Sequence, residues 1–230
     1  MPLPTLLPLA AFSPTAAFEI TWSFLEKGGI FMIPLTLCSV VGIMAILYKW
    51  LSLTSSQVIP AALANEVEAF EHRLAAGNPE PAIRQFQEGK SALARLCAIA
   101  IKHRGKSLPE ITQAVESAAR EETVHLHAGI GLLDVLVTVA PLLGLLGSAS
   151  GMVVIFEGLG ESTDHVIVAH GIAVALHTTI MGIVIAVICV IAHSYFVRRI
   201  DRLTARLETL LGGLVHVCQS SGANPPANTP

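Results

Sequence analysis

Residues 166–197 read VIVAHGIAVALHTTIMGIVIAVICVIAHSYFV, thirty-two consecutive positions without Asp, Glu, Lys or Arg. A helix needs about 20 apolar residues to cross roughly 30 Å of hydrocarbon. This run therefore spans a bilayer with length left over for tilt or extension. Two runs of the same kind precede it: Val135 to Phe156, 22 uncharged residues between Asp134 and Glu157, and Ile30 to Tyr48, 19 residues. Backbone polar groups cannot stay unpaired in lipid, so all three segments are expected to be helices. The fold class that follows is an all-α polytopic membrane protein with three transmembrane helices.

Composition agrees. Of the 230 residues, 53% are hydrophobic and 13% charged, with a mean hydropathy of +0.65. A soluble domain carries about 25% charged residues, so this chain cannot cover a water-facing surface, and a soluble enzyme is disfavoured. A net charge of −3 offers no basic patch for nucleic acid. Cys38, Cys97, Cys189 and Cys218 lie far apart with no CxxC; they read as small buried thiols rather than a disulfide framework or zinc site. There is no Walker loop, no GxSxG and no metal-spaced His/Cys/Glu cluster. His125 and His127, two apart on an expected helix, point apart. Neither catalysis nor a cofactor nor a metal is expected.

The basic residues orient the spans. Of fourteen Lys and Arg, only Lys27 precedes the first run; Lys49 and eight more lie between the first and second, none lies in 157–165, and Arg198, Arg199, Arg202 and Arg206 follow the third. Thirteen against one places the N-terminus outside and both the middle segment and the C-terminus in the cytoplasm. Residues 1–17 lack a positive start and carry Pro2, Pro4 and Pro8, unlike a signal peptide. The expected organisation is an external N-terminus over 1–27, with an amphipathic helix at 18–26 anchored by Trp22 and Phe24; a span over 28–50; a cytoplasmic helical segment over 51–133; a span over 134–157; an external loop over 158–165; a span over 166–197; a cytoplasmic helical extension over 198–217; and a disordered tail over 218–230. Within the cytoplasmic segment, helices are expected over 58–76, stopped by Gly77-Asn78-Pro79, and over 91–103. A third, over 108–133, is expected to run straight into the second span.

Small residues form stripes in the spans. Ala140, Gly144 and Ser148 stand four apart, Gly147 and Gly151 make a GxxxG pair, and Gly171, Ala175 and Thr179 repeat the spacing with Gly182 beside them. Such stripes let helix backbones approach closely, either within one chain or between subunits around a central space. Ser148 and Thr179 fall near mid-bilayer, where a hydroxyl either bonds back to its own helix or lines a polar path. Asp134 sits at the cytoplasmic edge of the second span. His177 is the deepest of His170, His177 and His193, and it either titrates or bridges helices as a neutral ring. It lies about 200° around the helix from Thr179, so the two do not share a face.

The stretch APLLGLLGSASGM at 140–152 resembles the APLLGLLGTVxGM core of the ExbB/TolQ family, related to MotA. GIAVALHTTIMG at 171–182 resembles its GIAEALxTTxxGL core, and GGIFMIPLTLCS at 28–39 resembles the GGxxMxPIxxCS start of its first span. The resemblance covers residues 20 to 210 or so and is closest to ExbB. It implies a homopentameric ring in the bacterial inner membrane, with the N-terminus in the periplasm and long helices reaching into the cytoplasm. Spans two and three would line a pore holding two copies of a single-span ExbD/TolR-like partner. That partner's aspartate would carry protons, and the work would pass to a TonB-like energy transducer. Ser148 and Thr179 match the family's pore-lining hydroxyl positions. Where the family has an acidic residue, this chain has Val174; where it has Glu-Arg, this chain has Tyr48-Lys49; where it has a late proline, this chain has Ile188. The competing readings are a TolQ-like envelope stator, a MotA-like motility stator, and a non-energised subunit of a membrane transporter.

Overall fold

The computed structural model describes residues 29–76, 79–161 and 165–220. In chain order the helices are α1 (Met32–Ser52), α2 (Ser55–Val58), α3 (Ala61–Ala75), α4 (Glu80–Glu88), α5 (Ala92–Lys102), α6 (Leu108–His127), α7 (Ile130–Glu161) and α8 (His165–Ser220). α1, α7 and α8 are each long and apolar enough to cross a membrane. The expected helix at 18–26 lies outside the described residues, as does the part of the expected tail beyond Ser220.

The chain divides into two compact units. Of the described residues, the first comprises 29–43, 134–161 and 165–190. Its helices turn much of their apolar surface outward: Leu145 is 64% exposed, Phe156 72% and Ile33 71%. In water such a surface would associate without control; in a bilayer it is the face that lipid or another helix covers. The buried side chains are fewer and smaller, with Leu35, Leu136, Ala140, Thr178 and Ile185 among them. Pro141 sits inside α7. Its ring removes one helical hydrogen bond, a loss that spanning helices tolerate where neighbours supply new partners.

Of the described residues, the second unit comprises 44–76, 79–133 and 191–220, and it has a conventional core. Phe70 of α3 packs on Phe86 of α4 with ring centroids 5.8 Å apart. α5 buries Leu93, Leu96, Cys97 and Ala100, and α6 buries Ile111 and Val115. The C-terminal stretch of α8 buries Ile200, Leu203, Leu207, Leu210, Leu214 and Cys218. That three- and four-residue spacing is an amphipathic stripe. Ser91 caps α5, its Oγ accepting from the Ala94 N–H at 3.2 Å. Arg95 of α5 grips the Glu122 carboxylate of α6 with two N–H groups, one at 2.6 Å. Trp50 stacks on Tyr195 at 5.9 Å.

Several expected boundaries move. Helix does not run unbroken from 108 into the second span: α6 ends at His127, and Gly129 takes a φ of +82° before α7 begins. The expected loop at 158–165 shrinks, because α7 continues to Glu161 and α8 resumes at His165. The helix also continues through 218–220, where a tail was expected. α4 was not anticipated. Its nine residues are mostly polar, and only Ala82 and Phe86, four apart, mark its buried side.

Candidate functional site: a hydroxyl pair in a glycine-lined seam

Within the first unit α7 and α8 meet backbone to backbone. A Cβ added to Gly182 would lie 2.6 Å from the Ala140 carbonyl oxygen, and one on Gly144 would lie 2.9 Å from the Thr178 carbonyl oxygen. One on Gly147 would overlap the Thr178 side chain at 2.6 Å. One on Gly151 would meet the Gly171 carbonyl at 2.8 Å and Ala175 at 3.0 Å, and one on Gly171 would meet Ile155 at 2.5 Å. The seven small residues of the two stripes thus close a single seam inside one chain. Close approach replaces the hydrophobic drive that lipid does not supply.

That approach brings Ser148 and Thr179 into direct contact, hydroxyl to hydroxyl. Ser148 Oγ also donates to the Ala175 carbonyl at 2.8 Å. Thr179 Oγ1 lies 3.1 Å from the same carbonyl and 3.4 Å from that of Gly144. Thr178 Oγ1, 3.0 Å from it as well, is a third donor to Ala175. A carbonyl oxygen has two lone pairs, so three hydroxyl protons compete for it. Thr178 has a second acceptor in the Val174 carbonyl at 3.2 Å. Lone pairs on Ser148 and Thr179 remain available to accept a further proton donor. The two hydroxyls are half-buried, whereas Thr178 is fully buried. Sequence reading passed over Thr178. The signal was there: it lies 100° around the helix from Thr179, towards the glycine stripe.

The other candidates lie apart from the pair. His177 is half-buried, and its Nδ1 meets the Ala173 carbonyl one turn back on its own helix. Asp134 is exposed. Val174 touches the start of the first span, its Cγ1 being 3.4 Å from a Cβ built on Gly29. Among the described residues no three His, Cys, Asp or Glu gather closely enough to hold a metal ion. The seam is therefore a hydrogen-bonding surface without a strong acid or base of its own.

A putative biopolymer transport protein ExbB homolog of Methanothermobacter thermautotrophicus is 30% identical over 63% of this chain and 52% of its own length, so the chain spans about half of that relative. Biopolymer transport protein exbB1 of Vibrio cholerae is 28% identical over 81% of this chain and 83% of its own length. The Tol-Pal system protein TolQ of Pseudomonas aeruginosa is 26% identical over 82% and 87%. Residues 84–209, more than half of the sequence and including the whole seam, match one family throughout, and the chain belongs to the MotA/TolQ/ExbB proton channel family.

Proposed function

We propose that the chain is an ExbB-like stator subunit of an inner-membrane motor driven by the proton gradient. Five copies form a ring, with the α7–α8 seams turned to a central pore. Two single-span ExbD-like partners sit in that pore, and the work passes through a TonB-like transducer to outer-membrane transport. The N-terminus is periplasmic, and the second unit, with the C-terminus, is cytoplasmic.

The observation that carries the reading is the Ser148–Thr179 pair, set in spans that hold no Asp, Glu, Lys or Arg. The hydroxyls can orient a proton donor or water, but they cannot take up a proton near neutral pH. The titrating carboxylate has to be brought by another chain, which is the division of labour a stator and its single-span partner require. A TolQ-like role in the envelope is the second reading, supported by the match to the Pseudomonas aeruginosa protein over 87% of its length.

The test is Thr179→Val. The substitution preserves shape and leaves Ser148 its bond to Ala175. The complex purified in mild detergent after co-expression with its single-span neighbour should keep the native mass of five copies plus two, while proton-dependent uptake is lost. Uptake equal to wild type would remove Thr179 from the path. A monomeric or dimeric mass for the wild-type complex would sink the ring.

A further inference from the structure

At the cytoplasmic end of α1 the usual pattern of exposure is reversed. Tyr48, Trp50 and Leu51 are 64%, 59% and 71% exposed, yet Lys49 between them is 2% exposed. An ammonium is the most strongly hydrated of these groups, and burying it is unfavourable unless it finds a partner. Its partner is specific: Lys49 Nζ donates to the Leu126 carbonyl at 2.9 Å. Leu126 lies in the last turn of α6, where carbonyls have no helical N–H to accept from. The carbonyls of Val124 and His125 are met by the Ala128 N–H, at 3.0 and 3.2 Å. Lys49 takes the next one, and its positive charge also matches the negative end of the α6 dipole.

The chain then turns sharply. Ala128 is extended, Gly129 has a φ of +82°, and α7 starts at Ile130. A Cβ on Gly129 would meet only Lys49 Cε, at 3.7 Å. The lysine stem thus covers the turn while its head group ties off the helix before it.

We propose that Lys49 is a positioning residue that fixes the left-handed turn at Ala128–Gly129, through which α6 hands the chain to the second membrane span. The apolar periodicity of 108–133 would otherwise favour continuous helix through this point. A cation capping Leu126 stabilises the broken form, because the orphaned carbonyl it satisfies exists only when the helix stops.

The test compares Lys49→Met, which keeps the stem and removes the donor, with Lys49→Arg, which keeps the charge. Backbone hydrogen exchange is followed by mass spectrometry on the full complex in detergent. Lys49→Met should speed exchange over residues 126–131 about tenfold, leaving α5 as protected as in wild type. Lys49→Arg should restore protection. Unchanged exchange at 126–131 in Lys49→Met would overturn the proposal. So would a rise spread equally over α5 and the turn, which would make Lys49 a general packing residue. If Lys49→Met fails to assemble, Lys49→Leu, which also lacks the donor, is read by the same criteria. A second arm measures proton-dependent uptake, which Lys49→Met should lower and Lys49→Arg should rescue. That arm rests on the stator reading, whereas the exchange arm stands without it. Altered exchange with no uptake in wild type would refute the stator and leave the turn proposal intact.

Discussion

Gly182→Ala adds one methyl group where the α7–α8 seam brings backbone closest to backbone. The new Cβ would lie 2.6 Å from the Ala140 oxygen, 3.1 Å from Gly144 Cα and 3.3 Å from Gly144 N. All three are backbone atoms, so no side chain can rotate away. Ordinary contact begins at 3.4 Å, and the shortfall against 2.6 Å means the helices must part by about 0.8 Å. A gap of that size forfeits roughly a quarter to a half of the dispersion attraction along the contact. Because only backbone could yield, overpacking here falls in the upper part of its usual range, about 2–3 kcal/mol, against a gain of about 1 kcal/mol from replacing a helical glycine. The net loss, about 1–2 kcal/mol, should lower the melting temperature of a chain this size by roughly 2–8 °C. Gly213→Ala is the matched control. Gly213 is also inside α8, but its Cβ would meet nothing within 4 Å, so only the propensity gain remains and the melting temperature should rise by about 2–4 °C. Thermal unfolding in mild detergent, followed by circular dichroism, reads both. A Gly182→Ala protein as stable as wild type, or two shifts of the same sign, would refute the claim that the seam is closed to its backbone.

Further outcomes follow from particular side chains. Burial pushes the Cys97 thiol up to about 12 from an ordinary 9.0, with nearby Cys218 adding to the shift. Above pH 9 the unfolded chain releases a proton that the folded chain keeps, so stability falls as pH rises from 9 towards 12, by about 4 kcal/mol in full. Cys97→Ala should flatten that alkaline limb in unfolding experiments, and an unchanged slope would count against it. His177→Leu removes a ring bonded back to its own helix; assembly and uptake should change by no more than about twofold, the effect of roughly 0.5 kcal/mol, and complete loss of uptake would show that the ring acts directly. Glu122→Gln breaks the fork with half-exposed Arg95 and should cost at most about 1 kcal/mol in thermal unfolding; a larger loss would mean that the pair anchors α5 to α6.

The three spans were legible because the absence of charge over 19, 22 and 32 residues has few physical explanations. The small-residue stripes were legible too, though not their use, since spacing cannot say whether the surface they meet belongs to the same chain. The contact between Ser148 and Thr179 depends on the register of one helix against another, which no single-helix pattern encodes. The break at Gly129 was missed for a related reason: hydrophobic spacing continues across it, and a single glycine fits either a continued helix or a left-handed stop. α4 is short and mostly polar, and its two buried apolar positions fall below what periodicity resolves. Lys49 entered the sequence reading as one of the basic residues that orient the spans, and only the carbonyl it finds explains why it is buried.

The spans bear no Asp, Glu, Lys or Arg at 135–156 or 166–197, and this has an electrical consequence. A membrane potential does about 2.3 kcal/mol of work per elementary charge moved through 100 mV. Helices whose side chains carry no net charge can shift or tilt in that field with almost no gating charge. Voltage would then act on whatever charge passes beside the seam, and hardly at all on the seam's own helices.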